Sequence, residues 1–190
     1  MVQENTKEGY ALKVRVKFAK EGAMKFIGHL DIMRYFQKAV KRANLDLAFS
    51  EGFSPHMIMS FASPLGVGIT STGEYFDMEL KSATTSSDMV KRLNDAMAEG
   101  MKILSIRQVE DGKASKAMSL VAAADYRLKF RETAKLPENW KEKLEEFKAQ
   151  KEIVILKKTK KSEKELDIRP FIYKLSLEEK DEIFMQLAAG

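Results

Sequence analysis

Cysteine is absent from the 190 residues. That absence excludes disulfides, thiolate catalysis, Cys-ligated zinc and iron–sulfur ligation by this chain. Histidine is scarce, with only His29 and His56 present, so a histidine-based metal site needs carboxylates to complete it. Neither histidine is spaced for one, and no metal or cofactor is expected. No run of about 18 apolar residues occurs, so no segment reads as a membrane span. The opening MVQENTKEGY lacks an apolar stretch behind basic residues and does not read as a signal peptide. The expected location is the cytoplasm. Excess charge is also small: a net +5 permits an anionic partner such as RNA without establishing one.

What the chain does have is a composition that builds a core, 44% hydrophobic and 32% charged. Its length suits one domain or two small units. After residues 1–10, read as a flexible terminus, ALKVRVKFAK alternates strictly. Leu12, Val14, Val16 and Phe18 point one way, and Lys13, Arg15 and Lys17 point the other. This is a half-buried strand with a basic outer face. From Leu30 to Ala43 the spacing turns helical, with Leu30, Met33, Phe36 or Gln37, Val40 and Ala43 on or near one face. Strands are expected over 57–62 and 74–81. A helix follows the Ser/Thr-rich 82–87, with Gly100 as its C′ residue, and then a strand over 101–109.

The order strand, helix, strand, strand, helix, strand over residues 11–110 is that of a ferredoxin-like α+β domain: an antiparallel sheet with two helices on one face. Residues 111–122 read as a linker. A second α+β unit, residues 123–190, starts the same pattern with a strand at ADYRLKFRE and a helix at LPENWKEKLEEFKAQ. Strands at EIVILKK, DIRPFIYKLSLE and DEIFMQLAA follow. It ends before a second helix, as either a variant sheet or a possibly truncated ferredoxin-like unit.

Candidate chemistry concentrates in two stretches. In FIGHLDIMRYFQKAVKR, Asp31 sits where an N-cap or first-turn residue belongs, while Arg34, Lys38 and Lys41 share a helical stripe with Arg42 beside it. Cations in line can track phosphates, and they equally make a solvated face. Imidazole suits proton transfer at physiological pH, so His29 is a candidate general acid or base, or a packing residue at a helix start. In the second stretch, Gly52 and Pro55 fix a tight, exposed turn with Phe53 between them, an aromatic that can stack on a base or plug the core, and His56 follows directly. Gly66, Gly68 and Gly73 punctuate a loop whose amides can face an anion or simply turn the chain. Glu74 and Asp77, three apart in a strand, project to opposite faces. KKTKKSEKE (157–165) reads as a lysine-rich turn.

Several of these pieces occur in one register. They are the Phe18-x-Lys20 strand end, Gly28-His-Leu-Asp31, Arg42-Ala43, Gly52-Phe-Ser-Pro55, Pro64-Leu-x-x-Gly68 and Glu74-x-x-Asp77. In these motifs residues 12–81 resemble the radical SAM-linked proteins, a bacterial family of uncharacterised function. Its members stand alone or are joined to the C-terminal end of cobalamin-binding radical SAM proteins. DIRPFIYKL and the closing LAAG resemble its later part more weakly, and Met57 stands where that family often has a second proline. The resemblance implies an accessory role beside a radical SAM enzyme. The cluster that cleaves S-adenosylmethionine needs cysteines, so that chemistry belongs to a partner chain. It also makes Gly28, His29, Asp31, Gly52, Phe53, Pro55, His56, Gly66, Gly68, Glu74 and Asp77 candidates for one shared cleft.

Three functions are open on the sequence. One is an RNA- or partner-binding module using Lys13, Arg15, Lys17, Arg34, Lys38, Lys41 and Arg42. The others are a metal-independent endoribonuclease using His29 and a purely structural docking domain.

Overall fold

A computed structural model describes residues 11–110, 112, 116–159 and 162–189. The expected flexible terminus, residues 1–10, lies outside them, as do positions 111 and 113–115 of the expected linker. Two compact units follow in sequence, Met1–Val121 and Ala122–Gly190.

The first unit is built around β1 (Leu12–Lys20), whose alternation gives it one apolar face. It pairs antiparallel with β3 (Ser71–Leu80) on one side and β4 (Met101–Gln108) on the other, and β2 (Met59–Phe61) pairs with β3. The order β2-β3-β1-β4 is the ferredoxin-like arrangement. Val14, Val16 and Phe18 share a face with Phe76, Met78 and Leu80, and this face is covered by α1 (His29–Arg42) and α2 (Ser86–Asp95).

Helix α1 has Gly28 as its N-cap and carries Asp31 in its first turn and Lys41 and Arg42 in its last, so all three charges complement the helix dipole. Its buried residues are Ile32, Phe36, Ala39 and Val40. The expected apolar face is therefore displaced: Leu30 is 66% exposed, because packing against the sheet selects the Ile32–Phe36–Val40 stripe. Thr85 caps α2 by accepting from the Asp88 amide. That helix ends at Asp95, not just before Gly100. Gly100 instead shapes the turn into β4 with φ +86°, its carbonyl accepting from the Glu21 amide at 2.7 Å. The Asn94 carboxamide meets both backbone groups of Ile103, accepting from its amide at 2.8 Å and donating to its carbonyl at 3.0 Å.

The opposite face of the sheet is not open. Arg15 donates twice to Asp77, at 2.8 and 3.1 Å, and Asp77 also accepts from the Ala117 amide at 2.8 Å. Ala117 opens the short helix α3 (Ala117–Leu120), so the expected linker holds a helical turn bound to the outer sheet face.

The second unit is α+β. Strands β5 (Ala123–Leu128), β8 (Ile172–Leu177) and β9 (Ile183–Ala188) form an antiparallel sheet in the order β5-β9-β8. Helix α4 (Trp140–Ala149) precedes a two-stranded ribbon, β6 (Val154–Lys158) and β7 (Glu163–Asp167). The stretch expected as a lysine-rich turn thus contains most of a strand. Glu163, Lys164 and Glu165 are all charged and offer no apolar alternation to read. Among the described residues of this unit, Ile153 is the buried side chain.

A Cβ at position 100 lies 2.7 Å from the Glu21 carbonyl oxygen and 2.9 Å from Met24 Cγ, at a backbone angle that side chains disfavour. Gly100→Ala is expected to lower unfolding stability by about 1–3 kcal/mol, read from urea denaturation.

Candidate functional site

The alternation that buries Val14, Val16 and Phe18 carries on to Lys20, whose side chain enters the same face and is 2% exposed. Lysine is rarely buried without a partner. Here Nζ donates to the Ile27 carbonyl at 2.8 Å, which fastens the end of β1 to the turn that launches α1. Burial pushes the Lys20 amine below its ordinary value, and the negative charge of Glu74 opposes that shift.

Glu74 stands opposite Phe18 in the β1–β3 register, on the helix side of the sheet. His29, the first residue of α1, sets its ring edge-on to Phe61 with centroids 5.6 Å apart. Lys20, His29 and Glu74 line one small depression with Phe18, Phe61 and Ser63. The chain segments next to its lining residues carry exposed apolar side chains: Phe26 is 67% and Leu30 66% accessible, and Val67 and Ile69 are also exposed. The Gly68 amide donates to the Lys25 carbonyl at 2.8 Å, tying the glycine loop to the turn that carries Phe26.

The other expected residues are distributed more widely. Asp31 is exposed and accepts from Arg34 at 3.3 Å. Gly52, Phe53, Pro55 and His56 belong to a hairpin closed by Ser50, which bonds His56 through backbone and side chain. Register sets that hairpin toward the Leu80 end of β3, since Leu47 bridges Leu80 and Met59 pairs with Met78, whereas Glu74 lies nearer the Lys20 end. Asp77 is on the far face with Arg15. The motif residues therefore do not meet in one cleft: His29 and Glu74 share the depression, and Gly66 and Gly68 belong to the loop beside it.

The cations divide in the same way. Lys13 is buried, Arg15 is paired, and the Lys17 amine lies 5.8 Å from the Tyr75 ring centre. On α1, Arg34, Lys38, Lys41 and Arg42 are exposed, with Arg42 donating to the Ala96 carbonyl at 2.8 Å. Among the described residues, the Lys38 and Lys41 side chains make no hydrogen bond or ion pair. Phe26 and the position of Lys20 inside the depression are what motif reading misses. Lys20 is recoverable from parity, because it continues the 14-16-18 alternation inward.

A model of a bacterial family described as uncharacterized, DUF2344, matches residues 13–190. The chain belongs to the DUF2344 family. No curated protein matches its sequence. The DUF2344 match embraces both units, from β1 through the last strand, so the depression, helix α1 and the ribbon of the second unit all fall within the family's extent. Among the described residues of this DUF2344 chain, no three His, Asp or Glu side chains gather as a metal would require, and no helix is long and apolar enough to cross a membrane.

A buried amine with a lowered pKa binds fewer protons folded than unfolded, so stability rises with pH between its lowered value and the ordinary 10.5. Lys20→Met removes that titration. Wild type is expected to gain stability relative to Lys20→Met as pH rises toward that ordinary value. A difference between the two urea midpoints that stays constant with pH contradicts the assignment.

Proposed function

We propose that this DUF2344 chain is an accessory module that binds single-stranded RNA through the outer face of α1 and the turn before it. The observation carrying this reading is one continuous band. Exposed Phe26, with the Lys25 amine 5.1 Å from its ring centre, leads to Leu30, Arg34, Lys38 and Lys41 along one stripe of α1. An aromatic face stacks on bases, and a line of cations follows phosphates. The outer sheet face serves less well: Lys13 is buried there, Arg15 is held by Asp77, and α3 binds the same carboxylate. The resemblance of residues 12–81 supports partnership with a radical SAM enzyme, and in this reading the cluster, which needs cysteines this sequence lacks, belongs to that partner. The module acts in the cytoplasm in this reading.

A second reading, metal-independent RNA cleavage, is favoured by one observation: Lys20 and Glu74 line the same depression as His29. An imidazole then transfers the proton and a lysine offsets charge on the phosphorane. Pooled RNA incubated in EDTA with wild type and His29→Ala decides it, since the reading requires cleavage that depends on His29.

For the binding reading, Arg34→Glu combined with Lys38→Glu is expected to weaken RNA binding at least about tenfold near 0.1 M salt. It also lowers the slope of log affinity against log salt by about 1.4, or 0.7 for each lost phosphate contact. Fluorescence anisotropy across a salt series measures both. A wild type with no salt-sensitive binding to any RNA ends the proposal. Co-purification of a radical SAM protein without RNA points instead to a docking domain.

A further inference from the structure

The β6–β7 ribbon of the second unit has two faces of opposite character. Its register pairs Ile155 with Leu166 and Lys157 with Lys164 on one side. On the other side Val154, Leu156 and Lys158 stand opposite Asp167, Glu165 and Glu163. All three carboxylates therefore share one face, where Lys158 bridges Glu163 at 2.8 Å and Asp167 accepts from the Ile153 and Arg169 amides. The Lys157/Lys164 face has no acid at all.

Two like charges directly across a ladder destabilise it, and a two-stranded ribbon has little stability to spare. Both lysines are exposed, and among the described residues neither side chain has an ion pair or hydrogen bond. Side chains at paired positions stand about 5 Å apart at Cβ, close enough for two ammonium groups to bracket one dianionic or bridging phosphate. A repulsive pair that an anion turns into an attractive three-body contact is a binding feature that a solvated hairpin does not need.

We propose that Lys157 and Lys164 clamp a backbone phosphate of a bound RNA strand. The inference rests on the RNA reading above and adds a contact on the second unit. RNA fits better than an anionic membrane because the paired strands present two cations on this face, enough for one phosphate, whereas an anionic lipid surface recruits clusters of about four to eight Lys/Arg.

The test uses the full chain, a fluorescent 30-nucleotide oligouridylate, and amide exchange over β6 and β7. Lys164→Glu sets a carboxylate opposite Lys157. It is expected to slow exchange in the ribbon of the free protein while lowering oligouridylate affinity at least about fivefold and the salt slope by about 0.7. The neutral double variant Lys157→Gln/Lys164→Gln is expected to show the same loss of affinity, whatever Lys164→Glu does to folding. Sodium tripolyphosphate is expected to slow ribbon exchange in wild type and in neither variant. Unchanged affinity in both variants overturns the clamp, as does lost binding to phosphatidylglycerol vesicles with RNA binding intact. A tripolyphosphate effect in a wild type that binds no oligouridylate overturns the RNA reading but leaves the phosphate chemistry of the clamp standing. An absent tripolyphosphate effect overturns the clamp even if α1 binds RNA.

Discussion

Four phenylalanine rings from four different elements meet under helix α1: Phe18 of β1, Phe36 of α1, Phe61 of β2 and Phe76 of β3. Their centroids lie between 4.7 Å, for Phe18 and Phe36, and 6.0 Å, for Phe18 and Phe61. Edge-to-face and tilted contacts of this kind add directional preference to burial. The cluster fixes where α1 crosses the sheet, and His29 leans its ring on the outermost member. Beyond the last ring, the inward positions change from phenylalanine to Lys20 and Glu74. The depression is where an aromatic core gives way to charge, so its shape is inherited from the packing beneath it.

Charge placement then decides which surfaces are available. The cations of β1 are largely internal: Arg15 is held by Asp77 in a partly buried, bidentate contact whose remaining carboxylate capacity goes to α3. Such a pair orders its surroundings more than it stabilises them, because desolvation offsets much of the attraction. It closes the sheet face that a ferredoxin-like domain otherwise leaves open. What stays accessible is the outer face of α1, where two lysines have no protein partner among the described residues.

The first unit was legible because β1 keeps a period of two along its core face, while β4 changes phase at a bulge that buries both Ile103 and Ile106. The same alternation placed Glu74 and Asp77 on opposite faces, where the register confirms them. Helix phase was less legible: Leu30–Met33–Phe36 and Ile32–Phe36–Val40 both satisfy helical spacing, and contact with the sheet chooses between them. The gathering of motifs was legible only in part. GHLD and Glu74 converge, yet GFSP lies toward the other end of β3, a separation set by strand register that linear spacing does not encode. Strand β7 escaped because a ladder of alternating lysine and glutamate carries no hydrophobic signal. Its partner β6 was visible through Val154, Ile155 and Leu156.

The Asn94 carboxamide also governs how this domain can meet others. β4 is the longer of the two strands at the margins of the first sheet, and an exposed margin invites another chain to hydrogen-bond along it. By occupying both backbone groups of Ile103, one amide side chain imitates a single residue of a neighbouring strand and interrupts the row that an incoming strand needs. A strand added along that margin must stop short of Ile103 or displace Asn94, so one amide side chain sets the length of backbone that β4 can offer to another chain.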